Sequence, residues 1–567
     1  MRPQFSQKLI VAGVCALVLT GWPHPSTARA DDFETKYLTA LAQNAPGLHF
    51  DLQLPEGKIR FQIGEAIPVT LSFSNLGGEP LHLVSSAFSS DNLVFFEVEP
   101  QNGVADPTGE IPPPLGIAYS GPPAPPPLVL GANLFSATQV VNESLRFARP
   151  GIYKLYARTW RVRPGLPPKA KNASPFVAGP ITTSVSNQIE VEIIATDPTW
   201  AHAQVEAQRA LWKQPRRYDE NRDAPSFRYL QTREAMDAII ERLGTGERPR
   251  SSDDETTHYR LSLVGFLDRP YLIDAMRRAI ARPDYPVTQG LLETLTLLRA
   301  LELKKRDPAS LSDVEKAALN ARSDRFQAVF DSPIHAVQDQ LLPANWNRAA
   351  DALGAKTGRA RAMTIHSLLE LAWGNPLLDK TQRTRDLQTQ VPAIYRDLPP
   401  LPQQYLLDER EWPRIKSPAM RAPLFEVWKS LSPRENDYPY LADAVFTRIS
   451  ELAPLDGRAL ALREMGAPLP RVSTKILLKL PGGDLPQFDQ IWLKTLTTNG
   501  NGQDDAALLI GRFASPAIQT EVRRIYEARR REKMLSFDVN RGLQTYLRRV
   551  ARRSLQSRVL VESRAAR

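Results

Sequence analysis

The sequence predicts a β-sandwich followed by a long α-helical array, and three features of the 567-residue chain carry that prediction. A short basic and apolar leader precedes residue 31. Apolar residues then recur with period two from Leu48 to about Ala195. From Asp197 onward they recur at helical spacing instead.

The leader sets the expected compartment. Arg2 and Lys8 precede an apolar run from Leu9 to Thr20 that is too short to span a bilayer. Ala28-Arg29-Ala30 then supplies small residues at the positions a signal peptidase reads, so residues 1–30 are expected to be a signal peptide cut before Asp31. A lipoprotein signal using Cys15 is the competing reading, but Ala12-Gly13-Val14 makes a poor lipobox. The protein is therefore expected to be exported, periplasmic or extracellular, and soluble after cleavage. Cys15 is the only cysteine. Its loss with the leader removes disulfides, thiolate nucleophiles and cysteine metal ligands from the mature chain.

Residues 31–196 are expected to form the sandwich. Val69-Thr70-Leu71-Ser72-Phe73-Ser74 alternates apolar and polar, as a strand with one buried face requires. Similar runs lie at Lys58–Gln62, Leu81–Val84, Leu93–Val98, Thr138–Ala148, Gly151–Val162 and Gln188–Ile194, with turn residues between them. In Pro150-Gly151-Ile152-Tyr153-Lys154-Leu155, Tyr153 is placed to bond back to the preceding corner, two residues before a buried Leu155. That pattern resembles the tyrosine corner in the penultimate strand of immunoglobulin-like domains. Nine prolines between Pro107 and Pro127 predict a stiff, extended connection. The loop Arg163–Pro180 carries Lys169 and Lys171.

Residues 197–567 are expected to form an α-solenoid of degenerate, HEAT-like helical hairpins. Ala235, Met236, Ile239, Ile240 and Leu243 share one face, closed by Gly244. Leu291, Leu292, Leu295 and Leu298 form a second stripe. Further helices are predicted at Tyr271–Ala281, Asp313–Ala321, Arg359–Ala372, Leu441–Leu452, Arg458–Met465, Val472–Leu478, Phe488–Leu496, Asp504–Phe513 and Ala517–Arg530. Breaks fall at Pro468-Leu469-Pro470, Pro481-Gly482-Gly483 and Asn499–Gly502.

Several of these segments also resemble a known group. Phe61–Pro68, Arg149–Tyr153, Ser186–Ile189, Leu462-Arg463-Glu464-Met465 and Pro470-Arg471-Val472 are similar to exported bacterial proteins that join an immunoglobulin-like β-sandwich to a HEAT-like helical array. The resemblance implies that architecture and carries no activity with it. The arginine-rich last forty residues stand outside it.

Motifs for catalysis are sparse. None of the seven histidines (His24, His49, His82, His202, His258, His335, His366) has a second histidine three or four residues away. No H-E-x-x-H or G-x-S-x-G occurs, so no metal, cofactor or catalytic residue is assigned. Gly354-Ala355-Lys356-Thr357 lacks the glycines of a phosphate loop and is expected to be a helix break. Asn499–Asp505 lacks the spaced acids of an EF-hand. One enzyme alternative remains, a carbohydrate-active α/α toroid joined to an immunoglobulin-like domain. It would need paired carboxylates and cleft tryptophans, for which Asp408-Glu409-Arg410-Glu411-Trp412 is the nearest material.

The tail, 521–567, holds fourteen Lys/Arg against five Asp/Glu, while the rest of the mature chain is close to neutral. Arg548, Arg549, Arg552 and Arg553 are expected to share one helix face as a polyanion-binding stripe. The expected partners are a protein or acidic envelope polymer, or an anionic membrane surface reached through the tail, and not nucleic acid. The function expected from sequence is thus that of an exported binding or scaffold protein without catalytic activity.

Overall fold

The computed structural model describes residues 30–83, 94–107, 128–132, 134–165, 183–214, 224–245, 259–305, 333–432, 439–467, 470–480, 483–498, 502–531 and 535–565. The expected leader with Cys15, most of the proline-rich connection, Lys169 and Lys171, the helix expected at Asp313–Ala321, and parts of the three Pro/Gly breaks lie outside these residues. The described chain is a β region of several small sheets followed by a helical part. Strands give way to helices where the period changes: the last strand ends at Ile194 and a helix starts at Pro198. Asp197 caps that helix, its carboxylate accepting from the Thr199 N–H at 2.8 Å. Two compact units are formed, one of Met1–Ala238 with Leu261–Asp268, the other of Ile239–Arg260 with Arg269–Arg567.

In the first unit the strands are β1 (Leu48–Gln53), β2 (Arg60–Gln62), β3 (Pro68–Asn75), β4 (Leu81–Leu83), β5 (Val94–Glu99), β6 (Val104–Ala105), β7 (Leu128–Leu130), β8 (Phe135–Val140), β9 (Arg146–Phe147), β10 (Gly151–Thr159), β11 (Val162–Pro164) and β12 (Ser184–Ile194). They pair as β1-β3-β8, β2-β12-β10-β5, β11-β4-β7 and β6-β9. Alternation puts Val69, Leu71 and Phe73 of β3 into one apolar core with Phe50, Phe61, Val98, Leu155 and Val191. Phe50 and Phe73 are register partners and stack at 4.4 Å. The Tyr153 hydroxyl donates to the Arg149 carbonyl at 2.9 Å, and Leu155 is fully buried.

The expected single strand Thr138–Ala148 is broken. β8 ends at Val140, a 3-10 turn follows at Val141–Glu143, and β9 resumes at Arg146. The Asn142 side chain accepts from the Ile67 N–H at 2.7 Å, which fixes the bend. A helix at Ala30–Leu41, not foreseen from the sequence, lays Phe33 and Tyr37 on Tyr156 of β10. Arg146 is buried over the Tyr229 ring at 5.0 Å. Burial pulls its guanidinium down to about 10. Gly265 leaves room for it, since a Cβ there would lie 2.7 Å from Arg146 Nε.

The second unit is built from helices that pack on chain neighbours. They include α1 (Gln289–Lys305) with α2 (Pro333–Asp351), α3 (Gly358–Gly374) with α4 (Gln382–Ile394), α5 (Arg421–Ser430) with α6 (Pro439–Leu452), and α6 with α7 (Pro454–Met465). Last come α8 (Asp489–Thr497), α9 (Gln503–Phe513), α10 (Gln519–Arg531) and α11 (Phe537–Ala565). Leu291, Leu292, Leu295 and Leu298 are all fully buried, as their spacing predicts. Pro343 and Pro392 sit inside α2 and α4, which hid both from a reading that takes proline as a breaker. The helix expected over Val472–Leu478 shrinks to the single turn Thr474–Leu477. The break at Gly354–Thr357 is present, and Lys356 is buried there, donating to the Arg282 and Tyr285 carbonyls at 2.8 and 2.6 Å.

Candidate functional site

The terminal helix α11 carries the residues assigned from sequence. Its inward face is apolar: Val539, Leu543, Tyr546 and Val550 are buried. Two glycines let it approach α9 backbone to backbone. A Cβ on Gly511 would lie 2.7 Å from the Gly542 carbonyl, and one on Gly542 would lie 2.3 Å from the Ala507 carbonyl. The Tyr546 hydroxyl, pushed up to about 12 mainly by burial, donates to the Ser515 carbonyl at 2.6 Å.

The four arginines expected on one stripe divide into two rows, because successive helical residues are about 100° apart. Arg549 turns inward, Arg553 stays exposed on the adjoining edge, and both pair with Asp484. Arg549 also donates to the Ala514 carbonyl at 2.6 Å and is only 18 % exposed. These two hold the end of the array together. Arg548 and Arg552 turn outward and are exposed. Arg548 reaches only Gln544 of its own helix, at 3.3 Å. Arg541 lies in the same outward row, which the sequence reading did not include. Arg529, from the preceding arginine run, is likewise structural, bonding the Leu496 carbonyl and Gln503.

A cavity of about 800 Å3 opens on the same unit, lined by His366, Tyr405, Asp408, Glu409, Glu411 and Tyr440 among others. Tyr440 is strongly exposed, and His366 meets Tyr405 edge-on at 5.5 Å. Burial pushes the Glu411 carboxyl above the usual carboxylate range, with Asp408 and Asp379 adding to the rise against Arg414. Two other charged lining groups serve the fold: Asp443 accepts from the Ser473 N–H at 2.6 Å, and Arg448 donates to the Leu407 carbonyl. No tryptophan is among the residues lining this cavity. Trp346, Trp412, Trp428 and Trp492 are buried, and Trp346 and Trp492 each donate to a backbone carbonyl at 2.8 Å.

In the first unit, His202, Glu206 and Glu234 converge, with ligand atoms within 4.8 Å of one another. The spacing from His202 to Glu206 is readable in sequence; Glu234, from another helix, is not. Arg209 pairs with both carboxylates, at 2.5 and 3.6 Å, and holds Glu206 below the usual carboxylate range. A cation would have to displace that arginine. Among the described residues no helix is long and apolar enough to cross a membrane.

No family model matches the chain, and no curated protein matches it. It is similar to the native conformation of E. coli alpha-2-macroglobulin at 11% identity, covering 89% of this chain and 26% of that one, with a TM-score of 0.15. It is also similar to a mutant of Salmonella alpha-2-macroglobulin at 12% identity, covering 72% of this chain and 26% of that one, again with a TM-score of 0.15. The chain thus spans about a quarter of the length of the structures it matches, and a likeness of that degree carries no argument about fold or function.

Proposed function

We propose that the protein is an exported binding or scaffold protein without catalytic activity, held to an acidic component of the cell envelope by the outward row of its terminal helix. In this reading the small sheets make an immunoglobulin-like sandwich and the helices a HEAT-like solenoid. The tyrosine corner at Tyr153 and the packing of successive helices support that architecture. The division of labour on α11 carries the functional reading. Asp484 pairs with Arg549 and Arg553, while Arg541, Arg548 and Arg552 face solvent on a helix seated by its buried apolar face. Fractionation tests it. The mature protein, beginning at Asp31, should sediment with envelope material at low salt and be released by high salt. Recovery in the cytoplasm, or in the supernatant at low salt, would refute the reading.

A second reading, a carbohydrate-active enzyme, draws on one observation. Glu411, with its raised carboxyl, lines the large cavity beside Asp408, Glu409 and two tyrosines, as a general acid beside a second carboxylate would. Release of reducing sugar from envelope polysaccharide, abolished by Glu411→Gln, would favour it. No release by the wild type would remove it.

A further inference from the structure

We infer that the outward face of α11 is a bilayer-docking face that lies flat on a membrane surface carrying anionic lipid. The inference rests on the attachment reading above and names its partner. At about 100° per residue, Phe537, Arg541, Arg548, Arg552 and Leu555 fall within one narrow stripe of the helix. Phe537 is 79 % exposed and Leu555 is 61 % exposed, so the basic row is bracketed at each end by a bare apolar side chain. The two ends stand about 27 Å apart along the axis. Asp538 is the one carboxylate between them, and it lies about 100° round from Phe537.

The opposite face needs no membrane to order it. Val539, Leu543, Tyr546 and Val550 bury it, and Arg549 and Arg553 tie it to Asp484. The stripe is therefore presented preformed. A dissolved polyanion answers the three guanidinium groups but offers no apolar phase for Phe537 and Leu555. A bilayer interface offers both: anionic headgroups for the arginines and acyl chains for the two apolar ends. That double match selects the bilayer over an acidic polymer.

The test uses the mature chain beginning at Asp31, which has no cysteine of its own, with an environment-sensitive dye at Leu555→Cys. The probes are phosphatidylglycerol–phosphatidylcholine vesicles, pure phosphatidylcholine vesicles and soluble polyphosphate. The inference expects a blue shift of the dye on phosphatidylglycerol vesicles and none on polyphosphate. Arg548→Gln with Arg552→Gln should weaken partitioning to the anionic vesicles roughly thirtyfold, about fivefold per arginine. Phe537→Ser with Leu555→Ser should weaken it roughly tenfold while leaving polyphosphate binding unchanged. If the arginine variant loses both ligands while the dye never shifts and the apolar variant binds vesicles normally, the bilayer inference falls and attachment to a polyanion stands. If the wild type binds neither anionic vesicles nor polyphosphate, both fall. Equal binding to pure phosphatidylcholine would overturn the role given to the arginines.

Discussion

Replacing Arg471 by Ala should destabilise the helical unit by about 3–5 kcal/mol, because it strands a buried carboxylate. Glu464 of α7 is buried, and its Oε1 accepts from Arg471 Nε and Nη2 at 3.0 and 2.8 Å. The other oxygen accepts from the Arg471 N–H at 2.7 Å. The guanidinium also donates to the Trp428 carbonyl at 3.1 Å and lies 4.3 Å from the Trp428 ring centre. Truncation leaves the buried Glu464 carboxylate with one backbone donor, so its desolvation outweighs the lost stacking, which is about 1 kcal/mol. For a unit of this size the loss amounts to roughly 5–8 °C in melting temperature. Thermal melts followed by far-UV circular dichroism of the intact chain read it. Glu464→Gln with Arg471→Met should cost clearly less than the sum of the two single changes, since no charge is then stranded. A shift under about 1 °C for Arg471→Ala, or strict additivity in the cycle, would refute the reasoning.

Three further outcomes follow from the same geometry. Gly542→Ala should cost about 1–3 kcal/mol and expose α11 to limited proteolysis, because its Cβ meets the Ala507 carbonyl; unchanged protection would contradict the close crossing. Lys356, lowered to about 8 mainly by burial, sheds its proton in the folded chain well before it does so at its ordinary value of 10.5 in the unfolded one. Between those values the unfolded chain binds more protons, so stability should rise with pH from about 8 by up to about 3 kcal/mol relative to Lys356→Met, whose curve lacks that rise. Tyr153→Phe should cost about 1 kcal/mol by removing the hydroxyl that closes the Arg149 corner, and no change in the β-region melt would mean the corner is held otherwise.

Local patterns told most of the fold, and contacts distant in sequence told the site. Tyr153 and Leu155 were legible because the corner and the buried position lie on one strand. The stripe Leu291–Leu298 was legible because helix period and burial coincide. The Glu464–Arg471 pair joins two short segments that the sequence singled out, Leu462–Met465 and Pro470–Val472, and the structure gives them a structural task. What escaped has a common cause. The sorting of the arginines depends on Asp484, which is 65 residues from Arg549, and no local spacing announces it. Phe537 and Leu555 read as ordinary apolar residues until the opposite face of α11 is seen to be the buried one. Pro343 and Pro392 concealed two helices because tertiary packing overrode a local breaker.

The central claim is that α11 holds the protein to an anionic surface through one row of arginines and to its own array through the other. Co-sedimentation with acidic envelope material across a salt series tests it, comparing the wild type with Arg548→Gln/Arg552→Gln and Arg549→Gln/Arg553→Gln. The Debye length falls from about 10 Å at 0.1 M salt to 3 Å at 1 M, so wild-type binding should fade over that range. The outward variant should already be released at low salt with its melting temperature unchanged. The inward variant should melt earlier yet bind like wild type below its transition. Equal binding by the wild type and the outward variant, or release of both double variants alike, would contradict the account.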